Sequence, residues 1–178
     1  MRKILAVFLT AFILLLQCSA AFAADTIRWR NPKRINVYIP QHQRTLMMKH
    51  SLEEWTRKTN KKIIFYYVDY PSRADIEIQF VDKIGNVAGA DRAIGVTQTK
   101  YAGRYFIKST IQIAMRSPEN RKLGDDAVYT VMLHEVGHAI GLLEHSPDKL
   151  SIMHPTEDDR QEIAKSDLER LKKLYGWQ

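Results

Sequence analysis

Three residues in the second half of the chain have the types and the spacing of a hydrolytic metal site. His134 and His138 are four positions apart, and Glu135 directly follows the first of them. On a helix, side chains at positions i and i+4 project from one face, so both imidazoles can reach a single zinc ion. A glutamate beside the first ligand can deprotonate the water that such a metal activates. The motif therefore predicts a zinc site with general-base chemistry.

The sequence around the motif predicts the helix that this geometry requires. An acidic pair follows Gly124, and negative charge is favoured at a helix N-terminus. Apolar residues then recur at helical spacing, at Val128, Met132, Val136, Ala139, Ile140 and Leu143. Gly141, three positions after His138, is suited to end the helix and to reverse the chain.

Further residues downstream complete a longer pattern. His145 follows the glycine closely, and Ser151–Pro155 contains a methionine at its centre. This order resembles the metzincin clan of zinc endopeptidases, whose signature is HExxHxxGxxH followed by a methionine turn. The resemblance implies one catalytic zinc ion. It also implies His134, His138 and His145 as zinc ligands, Glu135 as general base and Met153 as a hydrophobic floor beneath the metal.

The third ligand departs from the signature by one residue. The signature expects it at position 144, where this chain has Glu144, and His145 comes one position later. Either Glu144 binds the metal, or the turn contains one extra residue. His145 lies eight positions before Met153, which is the spacing typical of the matrixins within this clan. Imidazole suits zinc well, so His145 is favoured over Glu144.

The hydrophobic pattern of the whole chain predicts an α+β fold with helices packed on a mixed sheet. The run at 62–68 is nearly all apolar or aromatic, which is typical of an interior strand. Ser166 and Glu169 have the spacing of a capping box, and Gly176 is suited to end the helix. Strands are expected at 35–39, 62–68, 75–81, 94–101 and 105–115, and helices at 45–59, from 124 onward, and at 166–175.

These elements are similar to those of a matrixin catalytic domain over most of the chain. Trp29–Val81 is similar to its opening strand, helix and two strands, and Asp167–Gly176 to its closing helix. The resemblance implies a twisted mixed sheet of about five strands with two long helices. It also implies a zinc ion in a cleft and a small C-terminal subdomain with one helix.

The resemblance further implies how a protein or peptide substrate binds. The substrate is expected to lie extended along the edge strand Ile94–Lys100, through main-chain hydrogen bonds near Val96 and Thr97. Pro155 is expected to wall the pocket for the side chain after the cut. Matrixins usually have a tyrosine two residues beyond that proline, where this chain has Glu157, so a more open or more acidic pocket is expected.

The N-terminus reads as an export signal over residues 1–23, followed by a single catalytic domain over residues 24–178. Arg2 and Lys3 precede an apolar run from Ile4 to Leu16, and Ala21–Ala23 fits a cleavage site. The run is too short to span a bilayer comfortably. We therefore expect a secreted or periplasmic protein with no membrane span after cleavage. Cleavage also removes the single cysteine, so neither a disulfide nor a cysteine switch is expected.

The amino-acid composition and charge exclude several other classes of protein. With 45% hydrophobic and 26% charged residues, the chain is neither disordered nor a coiled coil. Without residues 1–23, which contain Arg2 and Lys3 and no acidic residue, the formal charge falls from +7 to +5. This charge is modest and the basic clusters are expected to be solvated faces, so no nucleic-acid partner is expected. The protein is expected to be a monomer. Asp82 and Asp91 are expected to be solvated loop aspartates, with calcium binding as the alternative. The alternative function is an exported, non-catalytic zinc-binding protein such as an adhesin or inhibitor, and the presence of Glu135 argues against it.

Overall fold

The computed structural model describes residues 26–85, 93–156 and 161–178. Asp91, Glu157 and the predicted export signal at 1–23 lie outside the described residues. Within the described ranges, the strands are β1 (Ile35–Tyr38), β2 (Phe65–Tyr67), β3 (Ile76–Val81), β4 (Gly95–Ala102) and β5 (Tyr105–Ala114). The helices there are α1 (Thr45–Lys58), α2 (Asp125–Ala139) and α3 (Lys165–Tyr175), and Pro71–Arg73 forms a short 3-10 turn.

The five strands form one mixed sheet in the order β2-β1-β3-β5-β4. The first four are parallel neighbours, while β4 runs antiparallel to β5. A two-residue turn joins β5 to β4, and its first residue, Gly103, has a φ of 57° that glycine adopts without steric cost. β4 is therefore an edge strand, and among the described residues no strand pairs with its other side.

The core lies between the sheet and the two long helices. α2 packs beside α1 and against β4 and β5. Trp55 of α1 is fully buried and its indole donates a hydrogen bond over 2.9 Å to the main-chain oxygen of Leu133 in α2. Trp29 likewise donates over 2.8 Å to Ala139 at the end of α2. The predicted α+β fold, with a mixed sheet of five strands and two long helices, is confirmed.

The prediction of an interior strand at 62–68 is wrong. β2 has only three residues and lies at the edge of the sheet opposite β4. Tyr66 and Tyr67 are 50% and 43% exposed, and only Ile63, before the strand, is fully buried. A tyrosine counts as apolar in a pattern but keeps a polar tip that water can solvate, so an aromatic run does not distinguish an edge from an interior position.

The C-terminal helix α3 starts one residue before the predicted position and uses a different cap. The carboxylate of Asp167 accepts the N–H of Ala164 over 3.0 Å, so Ser166 and Glu169 do not form the predicted capping box. Gly176 ends the helix at a φ of 68°, as predicted. Tyr175 donates over 2.9 Å to the main-chain oxygen of Ile140, which fastens α3 behind the end of α2.

Within the described part of the chain, none of the helices has the length and apolar character needed to cross a membrane. The carboxylate of Asp82, considered above for calcium, lies 3.0 Å from the guanidinium of Arg116.

Candidate active site

Helix α2 carries the first two histidines and the glutamate into the interior of the protein. Its first turn contains Asp125 and Asp126, which complement the helix dipole, as expected from the sequence. Near its end His134 and Glu135 are only 7% and 5% exposed. The imidazole rings of His134 and His138 are 4.7 Å apart between centroids, as the i, i+4 spacing on one helical face requires.

A turn at Gly141 brings the chain back toward these histidines. Gly141 has a φ of 116°, a region that residues with a Cβ rarely adopt. A Cβ there would also lie 2.5 Å from a methyl carbon of Leu174 in α3. Its N–H donates to the main-chain oxygen of His138 over 3.0 Å, which closes the helix end. Glycine is therefore required both for the backbone conformation and for the close approach of α3.

The returning chain brings His145, rather than the side chain of Glu144, to the other two histidines. The ring of His145 lies 5.2 Å from that of His134 and 5.1 Å from that of His138. One potential ligand atom from each of the three histidines lies within 4.8 Å of the others, and no other such group of three occurs in the described ranges. Glu144 is exposed, and its main-chain oxygen accepts a hydrogen bond from the guanidinium of Arg170.

Main-chain carbonyls orient two of the three imidazoles. Nδ1 of His134 lies 2.7 Å from the oxygen of Ile152, and Nδ1 of His138 lies 2.6 Å from the oxygen of Leu142. A carbonyl oxygen only accepts, so Nδ1 carries the proton in both rings and Nε2 remains for a metal. Carbonyl partners of this kind fix the ring orientation of metal-binding histidines.

Burial also keeps these imidazoles in the form that binds metals. Desolvation lowers the pKa of His134 to about 4 and the pKa of His138 to about 3, and it lowers the pKa of His145 in the same direction. His134 and His138 are therefore neutral at neutral pH, as zinc ligands must be. The donor set, its protonation and its clustering fit a zinc ion with three protein ligands and an open position.

The turn that contains Met153 packs against α2 at Gly137, the residue before His138. Met153 is fully buried, and a Cβ on Gly137 of α2 would lie only 2.3 Å from its sulfur. The main-chain oxygen of Met153 accepts the N–H of Ser146 over 2.7 Å, so this turn is bonded to the residue after His145. The Ser151 hydroxyl accepts the N–H of Met153 over 3.0 Å and holds the turn in shape.

Glu135 lies against the edge strand β4. The Thr97 hydroxyl is 2.6 Å from Oε2 of Glu135 and 3.0 Å from its main-chain oxygen. The sequence predicted that Thr97 lies near the substrate but did not predict its contact with Glu135. The only indication in the sequence is the alternation of side chains along a strand, which determines the face on which Thr97 lies. Val96 is half-buried on the same strand, and Pro155 is exposed two residues after Met153. Sequence reasoning also missed Ser151, Asp167 and Arg170, whose hydrogen bonds support the site.

Comparison with known proteins agrees with this geometry. The family model of the matrixins matches residues 21–176, which is most of the chain. The chain is 33% identical over 75 residues to matrix metalloproteinase-A of Caenorhabditis elegans, which covers 42% of this chain and 14% of that protein. It is 42% identical over 57 residues to human matrix metalloproteinase-16, which covers 30% of this chain and 9% of that protein. The matched segments thus span only a small part of these relatives.

The chain belongs to the matrixin family. This is a family of zinc metalloendopeptidases that use a catalytic zinc ion, and the cluster of His134, His138 and His145 provides a site for it. The resemblance to matrixins within the metzincins is thereby confirmed.

Proposed function

We propose that this protein is an endopeptidase that hydrolyses internal peptide bonds of protein or peptide substrates, and that His134, His138 and His145 hold its zinc ion. The observation that carries the proposal is the three-histidine cluster, with ligand atoms within 4.8 Å of one another. A zinc ion bound there supplies a Lewis acid that acidifies water and polarises a carbonyl group. The remaining chemistry belongs to side chains of this chain.

Glu135 is the general base in this proposal. Its carboxylate takes a proton from the attacking water and later delivers it to the leaving amine. A carboxylate that is 5% exposed and adjacent to a ligand is suited to this role, because little bulk water competes for the proton. Met153 is fully buried, packs against Gly137 of α2, and is the proposed apolar floor of the site.

The open side of β4 is the proposed substrate-binding edge. An extended peptide can pair with the free main-chain groups of an edge strand, and the segment around Val96 and Thr97 lies directly beside Glu135. Pairing there would place the scissile carbonyl near the base. Pro155, exposed beyond the methionine turn, is the proposed wall of the pocket for the residue after the cut.

We also propose that the protein is exported, to the periplasm or beyond, and acts as a monomer. The support is the sequence pattern of residues 1–23, which fits a cleaved signal and leaves a catalytic domain at 24–178. N-terminal sequencing of the exported protein tests this, and a first residue of Ala24 is the expected result.

Cleavage of an unfolded protein tests the activity itself. The zinc-loaded protein should cut casein at internal bonds, which mass spectrometry of the fragments identifies. Chelation should abolish cleavage, and added zinc should restore it. Zinc binding without cleavage of casein or of a diverse peptide library would instead support the non-catalytic zinc-binding protein.

A further inference from the structure

We propose that Thr97 is a positioning residue that holds the general base Glu135 through its hydroxyl group. The edge strand β4 would then have two roles, because the strand proposed to bind the substrate also orients the base. The inference rests on the proposed function. It assigns a role to the side chain of Thr97, whereas the sequence predicted only contacts between the substrate and the main chain of this residue.

The contact joins one hydroxyl to two acceptors on the same residue. Oγ1 of Thr97 donates to Oε2 of Glu135 over 2.6 Å and lies 3.0 Å from the main-chain oxygen of Glu135. A hydrogen bond to a carboxylate is stronger than one between neutral groups. Because the same hydroxyl is near the backbone and the end of the side chain, it restricts the torsions by which the carboxylate could turn away.

Gly95 bounds the other side of the same carboxylate. It lies two residues before Thr97, so both positions face α2 from one side of the strand. A Cβ on Gly95 would lie 2.7 Å from Oε1 of Glu135 and 2.4 Å from a methyl carbon of Val131. The strand therefore admits the carboxylate at Gly95 and binds it at Thr97, with a different oxygen at each position.

The donor is itself held in place. Thr97 pairs in register with Ile111 and Gly95 with Ile113, and both isoleucines of β5 are fully buried. Threonine is also branched at Cβ, which restricts its χ1 torsion. A donor fixed by a paired strand and a stiff side chain is preorganised, which is the property that functional sites require of their supporting groups.

The test compares Thr97→Val, which removes the hydroxyl at nearly constant volume, with Thr97→Ser, which keeps it. Thr110→Val, on the neighbouring strand β5, is the matched control, because it makes the same change without touching Glu135. All three zinc-loaded variants are compared with wild type for zinc content, kcat and KM on one peptide substrate.

We expect Thr97→Val to lower kcat by about 10-fold or more, since a hydrogen bond to a charged group is lost. KM and zinc affinity should stay within about two-fold, because ground-state binding and the ligands are unchanged. Thr97→Ser should recover most of the lost kcat, and Thr110→Val should match wild type. A Thr97→Val enzyme with wild-type kcat, or one changed only in KM, or a failure of Thr97→Ser to recover activity, would overturn the proposal.

A second measurement needs no catalysis. In the chelator-treated protein, urea unfolding of wild type, Thr97→Val, Glu135→Leu and the double variant forms a double-mutant cycle. We expect the factor by which Thr97→Val changes the equilibrium constant of unfolding to be at least about five times smaller in the Glu135→Leu background than in wild type. Equal effects in both backgrounds would mean that the two side chains are not coupled and would overturn the inference. If wild type cuts nothing, the proposed function fails, and this coupling alone decides whether Thr97 holds Glu135.

Discussion

Nδ1 of His134 lies 2.7 Å from the main-chain oxygen of Ile152, so the first histidine of the motif is held by the turn that carries Met153. Asp167 stabilises the same turn. Its carboxylate is fully buried, and both of its oxygens accept the Ser151 hydroxyl, over 2.7 and 2.9 Å. The orientation of a proposed zinc ligand on α2 thus depends on a carboxylate of α3.

Loss of the Ser151 hydroxyl should loosen this connection. Ser151→Ala removes the hydroxyl that donates to Asp167 and leaves the N–H of Met153 without its acceptor, so the free energy of unfolding should fall by about 1–3 kcal/mol. Zinc affinity should fall by about 10-fold, as for other groups that orient metal ligands. Urea unfolding and competition with a zinc chelator measure the two effects. Ser166→Ala, at an exposed serine of α3, is the control, and an equal effect there would contradict the account.

Gly137 should not tolerate a side chain. Its Cβ would lie 2.3 Å from the sulfur of Met153 and 3.1 Å from the ring of Trp55, both fully buried. Gly137→Ala should therefore destabilise the protein by about 1–3 kcal/mol, despite the better helix propensity of alanine. Gly85→Ala is the control, since nothing in the described part of the chain lies within 4 Å of a Cβ there. A Gly137→Ala protein that unfolds at the wild-type urea concentration would show that Met153 is not packed as described.

The identity of the third ligand is open to a direct comparison of neighbours. His145→Ala should lower zinc affinity by more than the roughly 10–100-fold loss that follows when a residue that only hydrogen-bonds to a metal ligand is removed. Glu144→Ala should leave zinc affinity within about two-fold, because the cluster of potential ligand atoms contains His145 and not Glu144. Chelator competition measures both. The opposite order of effects would assign the ligand to Glu144.

The stability of the zinc-free protein should depend on pH through its buried histidines. Burial lowers the pKa of His134 to about 4 in the folded state, whereas an unfolded histidine titrates near about 6.5. Between these two pKa values the unfolded chain binds a proton at His134 and the folded protein does not. The free energy of unfolding is therefore highest above about pH 6.5 and decreases as the pH falls below that value. The slope is about 1.4 kcal/mol per pH unit for each such histidine.

Urea unfolding of chelator-treated protein between pH 7.5 and 5 measures this slope. His134→Gln removes one titrating group. The slope of its free energy of unfolding against pH should therefore be smaller than that of wild type by the amount that one bound proton contributes, about 1.4 kcal/mol per pH unit. The difference between the two proteins isolates His134 from the carboxylates that also titrate at low pH. Identical slopes would show that His134 is not buried in a neutral form.

The parts of the site that sequence predicted are those carried by local periodicity. The i, i+4 spacing of His134 and His138 required only that α2 form, and its apolar stripe was enough to predict that helix. The contact of Thr97 with Glu135 depends on the position of β4 over α2, and Asp167 reaches Ser151 from another element. Both relationships arise from tertiary packing, which no local pattern records. The same reason explains why Tyr66 and Tyr67 were placed in an interior strand.

The proposed zinc-dependent peptide hydrolysis is tested most directly by comparing wild type with Glu135→Gln for zinc content and for cleavage of casein. Removal of the carboxylate charge leaves the three histidines in place, so both proteins should bind one zinc ion per chain. The variant should cut casein about 100- to 10,000-fold more slowly, because general-base catalysis is lost. A Glu135→Gln protein that cuts at the wild-type rate, or a wild-type protein that binds no zinc, would contradict the proposed zinc-dependent mechanism with Glu135 as general base.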